Sequence, residues 1–307
     1  MNTYWLNFHL DYACRHSGVC CSSGWPIPVE RNRVIPIRTL AGCGDDSWLV
    51  PQAEAPAEVA GTLALQSSGP CVFHGATGCG VYASRPASCS HFPYVCLIDQ
   101  RGVHVTLSHY CPTAAALLFE DHGPIAIVEG PSPVPGLEMP EGLDAREALP
   151  PLEAPNRLMT FDALSAWERD LVTRPWTRPS QFDRLALFEH TRASVPLLLS
   201  WPDSPADLDD SYRTWVAPAI GRFAPVIDRY LAAKAFASWA LYDEDGTAAV
   251  VRLVAMARAV LEVESARACA RAGAALDATL LTDAIRQSDL LLVHYADRDR
   301  LHRRPQA

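Results

Sequence analysis

The sequence predicts a mainly α-helical protein with an irregular, cysteine-rich metal-binding region. A small, metal-nucleated N-terminal part would join an α-helical C-terminal part. Three observations predict this. Nine of the ten cysteines precede residue 112. Residues 1–117 are rich in Cys, Gly, Pro and His with little helical periodicity, so metal cross-links would replace an ordinary apolar core. Residues 157–307 instead repeat apolar side chains at helical spacing. Between them, 118–156 is dense in proline, which excludes a long helix and reads as an extended linker, with room for a short strand at Ile125–Val128.

The helical part can be read in order. Thr160 is placed to cap a helix whose apolar face carries Phe161, Leu164, Trp167 and Leu171. Ser180 and Asp183 resemble a capping box before a further helix that Pro196 must kink or end. Ile227, Tyr230, Leu231, Lys234, Ala235 and Trp239 follow helical spacing, and Asp243–Gly246 reads as a turn. A long helix follows, with Val250, Leu253, Val254, Ala257, Val260, Leu261 and Glu264 along it, and a last helix is expected over Thr282–His294. The polar tail should fray, and His294 and His302 read as exposed helix-end residues.

Charge narrows the functional classes. The formal net charge is −9, against a general nucleic-acid or membrane-surface binder, which needs a basic face for phosphates. Lys234 is the only lysine, which reads as base composition rather than function. The first residues lack the basic and apolar regions of a secretory signal, and no apolar run reaches the ~18 residues of a membrane span. The expected location is cytoplasmic, where clustered thiols stay reduced and serve as metal ligands or catalytic groups more often than as disulfides.

The candidate metal ligands are Cys14, Cys20, Cys21, Cys71, Cys79, Cys89, Cys96 and Cys111. Thiolates are soft, anionic donors suited to zinc and to iron–sulfur clusters, and four complete a tetrahedral zinc site or a 4Fe-4S cubane. Spacing does not select four of the eight. The adjacent pair Cys20–Cys21 can serve one ion only through a tight turn, because neighbouring side chains of an extended segment point opposite ways. A vicinal disulfide, or a disulfide framework for the whole set, is the competing reading. Cys269 reads as a small buried hydrophobe, and Cys43 as either. No C-x2-C knuckle and no C-x3-C-x2-C triplet is present, which speaks against ordinary zinc fingers and radical enzymes using S-adenosylmethionine.

Around the cysteines, His16, His74, His91 and His109 read as surface or internally satisfied groups, with ligation or a hydrogen bond to thiolate as the alternative. Arg85 is placed either to offset thiolate charge or to pair with a carboxylate. Pro86 and Pro93 should fix turns, while Tyr82, Phe92, Tyr94, Trp5, Trp25 and Trp48 should pack and exclude water.

The stretch Cys79-Gly-Val-Tyr82-Ala-Ser-Arg85-Pro86-Ala-Ser-Cys89-Ser-His-Phe92-Pro93 resembles the C-x-I-Y-x-x-R-P-x-x-C-R-x-F-P signature of the YkgJ-like cysteine-cluster family, described as chelating zinc or iron. Gly18-Val19-Cys20-Cys21 is similar to that family's G-x-C-C element, and the likeness covers roughly residues 14–115. Ser90 stands where the family usually has Arg. Ser108-His109-Tyr110-Cys111-Pro112-Thr113-Ala114-Ala115 resembles the corresponding segment of flagellin lysine-N-methylases, relatives that carry an iron–sulfur cluster. The resemblance implies a cysteine-ligated iron–sulfur or zinc centre. It also implies, as an alternative, a methylase using S-adenosylmethionine on a lysine-bearing protein substrate. No glycine-rich nucleotide loop following a strand accompanies that second reading. A third reading is an interaction module whose metal region displays the helical half.

Overall fold

The computed structural model describes residues 1–134, 139–176, 193 and 205–296. The expected capping box at Ser180–Asp183, the helix after it with Pro196, the polar tail and His302 lie outside these residues. The chain divides into two compact units, one of Met1–Tyr12, Pro93–Ser132 and Glu141–Ala307, the other of Ala13–Phe92 and Pro133–Pro140.

The first unit corrects the expectation of a mainly helical protein: it is mixed α/β. Its five-stranded sheet has the order Leu143–Asp144, Tyr94–Asp99, Gly102–Leu107, Thr3–Leu6, Ile127–Glu129. Tyr94–Asp99 and Gly102–Leu107 form an antiparallel hairpin, and Thr3–Leu6 lies parallel to the second of them. Ile127–Glu129 pairs antiparallel with Thr3–Leu6, close to the short strand expected from sequence. All six residues of Gly102–Leu107 are buried, so the strand lacks the alternating pattern that betrays a half-exposed one.

Helices complete the unit. Thr160 accepts a hydrogen bond at its Oγ1 from Ala163 N (3.2 Å) and starts the helix Phe161–Thr173, which buries Leu164, Leu171 and Val172. Ala224–Ala235 buries Ile227, Tyr230, Leu231 and Lys234, and ends before Trp239 because Phe236 turns to extended backbone and Ala237 takes a positive φ of 54°. The Asp243–Gly246 turn is present. Gly246 has φ +53° and sits against Leu152, whose carbonyl oxygen a Cβ would meet at 2.2 Å. Thr247–Ala272 then packs on Ala224–Ala235 and on Ala278–Asp289. That last helix starts four residues before the expected Thr282, where Asp277 Oδ1 accepts from Leu280 N (2.8 Å), and continues as a π-turn over Leu290–Tyr295.

The second unit is neither irregular nor without an apolar core. Pro28–Glu30, Val59–Leu63 and Leu49–Val50 form a three-stranded sheet, and Arg31–Ala41 is a helix. Val29, Ile37, Trp48, Leu63, Cys71 and Val81 are buried together, with Cys21, Cys43, Cys79 and Cys89 packed against them. A small apolar core therefore exists in this unit, where the expectation had metal cross-links replacing one. Among the described residues, no group of three or more His, Cys, Asp or Glu side chains has the arrangement of a closed ion site, and no helix is long and apolar enough to cross a membrane.

Candidate metal centre

Four separate pieces of the second unit bring cysteines together. The 3-10 turn Cys20–Ser22 carries the adjacent pair. Cys71 lies in a bridge with Leu65, Cys79 in the two-residue strand Gly78–Cys79, and Cys89 in the short helix Ala87–His91. The backbone joins the first two pieces directly, since Cys71 N donates to Cys21 O (2.7 Å). The Gly78–Cys79 strand pairs with His74–Gly75, so His74 stands opposite Cys79. Gly18 is required here: its φ is +72°, and a Cβ would fall 2.0 Å from His74 Nε2.

All ten cysteines are free, which removes the disulfide framework and the vicinal disulfide. The tight turn that one-ion ligation by both Cys20 and Cys21 demands is present, and it leaves their sulfurs 4.0 Å apart. Thiolates ~2.3 Å from a zinc ion stand about 3.8 Å apart in a tetrahedron, so this edge already has nearly the required length.

The thiol–thiol contact with Cys21 brings the Cys20 pKa down to about 7 against the opposing effect of burial. For the same reason the Cys21 thiol is pushed far up, with burial and the sulfurs of Cys20, Cys79 and Cys71 adding. Burial pushes Cys89 up to about 12, with Cys20, Cys71 and Cys79 adding, and it raises Cys71 in the company of Cys79 and Cys20. Cys20, Cys71 and Cys79 thus act on the thiols of both Cys21 and Cys89. Cys14, Cys96 and Cys111 complete the expected ligand set. Cys14 is exposed. Cys96 and Cys111 belong to the sheet-containing unit, where burial pushes the Cys96 thiol up to about 12 and Cys111 Sγ lies 3.6 Å from Tyr12 Oη.

The aromatic and basic neighbours partly match their expected roles. Trp25 packs edge-on against Phe92 (5.8 Å), and Tyr82, although exposed, lies between His16 (4.5 Å) and the Arg85 guanidinium (3.8 Å). His91 is buried and its Nδ1 meets Ala87 O at 3.0 Å, the satisfied state.

The sequence reading missed a second constellation, in the core of the sheet-containing unit. Asp289 is fully buried and carries the Lys234 ammonium on both oxygens, at 2.6 and 2.7 Å. Tyr230 Oη donates to Asp289 Oδ1 (3.0 Å), and His109 N donates to Oδ2 (2.5 Å). The His109 ring continues the chain: Nδ1 lies 3.3 Å from Asp289 Oδ2, and Nε2 lies 3.1 Å from His9 Nε2. His9 Nδ1 is buried with no hydrogen-bond partner among the described residues. Burial would raise the Asp289 carboxyl, but Lys234 and His109 overturn this and hold it well below the usual carboxylate range. His294 is not an exposed helix-end residue: its Nε2 lies 2.8 Å from Ser108 Oγ, and burial lowers its pKa to about 4. One sequence signal was available, a lone lysine four residues after Tyr230 on an otherwise apolar helical face. A charge at such a position needs a buried partner.

Comparisons of the chain with protein-family models, with curated proteins and with solved structures return no match. The cysteine-cluster likeness therefore rests on the motif residues themselves.

Proposed function

We propose that the unit built mainly of Ala13–Phe92 binds a soft metal, as a zinc ion or an iron–sulfur cluster, through thiolates drawn from Cys20, Cys21, Cys71, Cys79 and Cys89. The observation that carries this reading is the packing of Cys21, Cys71, Cys79 and Cys89, from four chain segments, in one small core, with Cys20 Sγ 4.0 Å from Cys21 Sγ. The donor chemistry fits: sulfur outnumbers every other donor in the cluster, and sulfur selects zinc, copper(I) or iron–sulfur over oxygen-seeking ions. The thiols do not stand as a closed cage, so loading would draw the remaining sulfurs in and release their protons. An apolar role for the cysteines competes, because free cysteine also packs as a small hydrophobe.

Metal and acid-labile sulfide analysis of anaerobically purified protein separates these. The reading expects one centre per chain, brown with broad visible absorbance for iron–sulfur, or colourless with stoichiometric zinc. Protein that carries no metal and takes up neither zinc ion nor iron with sulfide would overturn it. Methyl transfer to lysine rests on the resemblance alone; calorimetry of S-adenosylmethionine with metal-loaded protein tests it.

A further inference from the structure

One histidine stands among the cysteine-bearing segments with its ring uncommitted. In the same unit, His16 is exposed against Tyr82 (4.5 Å), and His91 holds Nδ1 against Ala87 O (3.0 Å). His74 differs from both. Its N–H donates to Cys71 O (2.9 Å), and its carbonyl accepts from Gln66 Nε2 (3.0 Å), which also donates to Cys71 O (2.9 Å). The backbone is thus braced, while among the described residues the ring makes no hydrogen bond or ion pair. The hairpin sets one side of that ring. Gly80 N donates to Phe73 O (2.9 Å), which makes His74 and Cys79, the next pair along the ladder, a non-hydrogen-bonded pair. The Cβ atoms of such a pair stand ~4.5–5.5 Å apart on one face of the ladder, so the imidazole and the Cys79 thiol leave the backbone side by side. A glycine sets the other side. Gly18 is buried, and Nε2 of His74 occupies the place its Cβ would need, 2.0 Å away. Gly18 O accepts from Cys21 N (3.0 Å), and Cys71 N donates to Cys21 O (2.7 Å), so the Nε2 end of the ring meets the turn of the vicinal pair, and that turn is tied to Cys71. Cys71-Val72-Phe73-His74 also has the x2 spacing of a metal knuckle, with imidazole in place of the second thiolate.

We propose that His74 is a nitrogen ligand of the metal centre, completing with Cys71, Cys79 and one thiolate of the Cys20–Cys21 turn a site of three sulfurs and one nitrogen. This rests on the metal-binding reading above. Three thiolates on a divalent ion leave a net charge of about −1, where four leave about −2, and the smaller excess is easier to hold in a half-buried place. Gly18 then serves to seat the imidazole.

The test loads the full chain with zinc ion, as wild type, H74A and H74C, and reads X-ray absorption at the zinc edge. Wild type should show an imidazole, with nitrogen at ~2.0–2.1 Å and the outer scattering of the ring, beside sulfur at ~2.3 Å. H74A should lose the imidazole signal and bind zinc at least about tenfold more weakly in competition with a chromophoric chelator, since even outer-shell changes cost about 10–100-fold. H74C, which supplies a fourth thiolate, should stay within about tenfold of wild type and surround the ion with sulfur alone. Unfolding of the metal-free proteins is measured alongside: a merely structural His74 would lower the metal-free stability of H74A and leave its zinc affinity unchanged. If the chain takes iron and sulfide in place of zinc, pulsed EPR of the reduced cluster should show strong coupling to a nitrogen nucleus that disappears in H74C. A wild-type centre without that imidazole or nitrogen signal, a signal that persists in H74A or H74C, or H74A binding as tightly as wild type overturns the inference while leaving the metal centre standing. Wild-type protein that binds no zinc, and assembles no cluster from iron and sulfide, overturns the metal centre and His74's role together.

Discussion

At the residue scale, the side chains that matter most in the sheet-containing unit are the charged ones at its centre. Lys234 and Asp289 neutralise each other in a site with almost no access to water. Removing one partner strands the other, which costs about 3–5 kcal/mol, whereas replacing both by apolar groups can be close to neutral. Urea unfolding should therefore show Lys234→Met losing several kcal/mol, and Lys234→Met combined with Asp289→Leu losing less than the single change. The imidazoles add a pH dependence. Burial lowers the pKa of His9, of His109 and of His294, so all three favour the neutral form in the native state. A group lowered in this way binds more protons unfolded than folded, and stability rises with pH between its folded and unfolded values. Their contribution is complete above about pH 6.5, the ordinary histidine value, and shrinks as pH falls toward the folded values. Unfolding free energies measured between pH 7 and 4 should decline with acid, and His294→Gln should flatten part of that slope.

At the element scale, what was legible in the sequence divides along the reach of the forces involved. The helix Phe161–Thr173 could be read because its cap and its apolar stripe are both local. Thr160→Ala should cost about 1 kcal/mol of stability, the usual worth of such a cap, measurable by denaturant midpoint. The sheet could not be read, because Thr3–Leu6 gains its main partner from Gly102–Leu107, about a hundred residues on, and neither strand alternates. Cys96 illustrates the same limit. It shares its sequence neighbourhood with the motif cysteines, but it lies in the buried strand Tyr94–Asp99, where pairing rather than motif spacing decides its place. Of the eight expected ligands, Cys14, Cys20, Cys21, Cys71, Cys79 and Cys89 fall in the smaller unit and Cys96 and Cys111 in the sheet-containing one, a division that spacing does not mark. The His9–His109–Asp289–Lys234 chain joins four distant segments, and only the lysine left a trace in the sequence.

At the scale of the whole molecule, each unit has its own means of cohesion. The sheet-containing unit buries an extended core of leucine, valine and alanine with aromatic anchors such as Phe8, Tyr230 and Phe236. The smaller unit has only a handful of buried apolar residues and a large share of cysteine, the composition for which a bound ion contributes most to stability. A ligand held at a hundred times its dissociation constant stabilises the folded form by about 2.7 kcal/mol. Zinc or cluster loading should therefore raise the unfolding midpoint of the cysteine-bearing unit in calorimetry, and a chelator should return it to the metal-free value.

The lysine inventory has a practical corollary. The chain's one ε-amine is held by both oxygens of a single carboxylate inside a core. Reagents directed at amines should leave it untouched in the native state, and enzymes that tag lysines would find no side chain to receive their mark. Incorporation of such a label at position 234 would thus register the opening of that core, making the residue a built-in gauge of how often the interior is exposed.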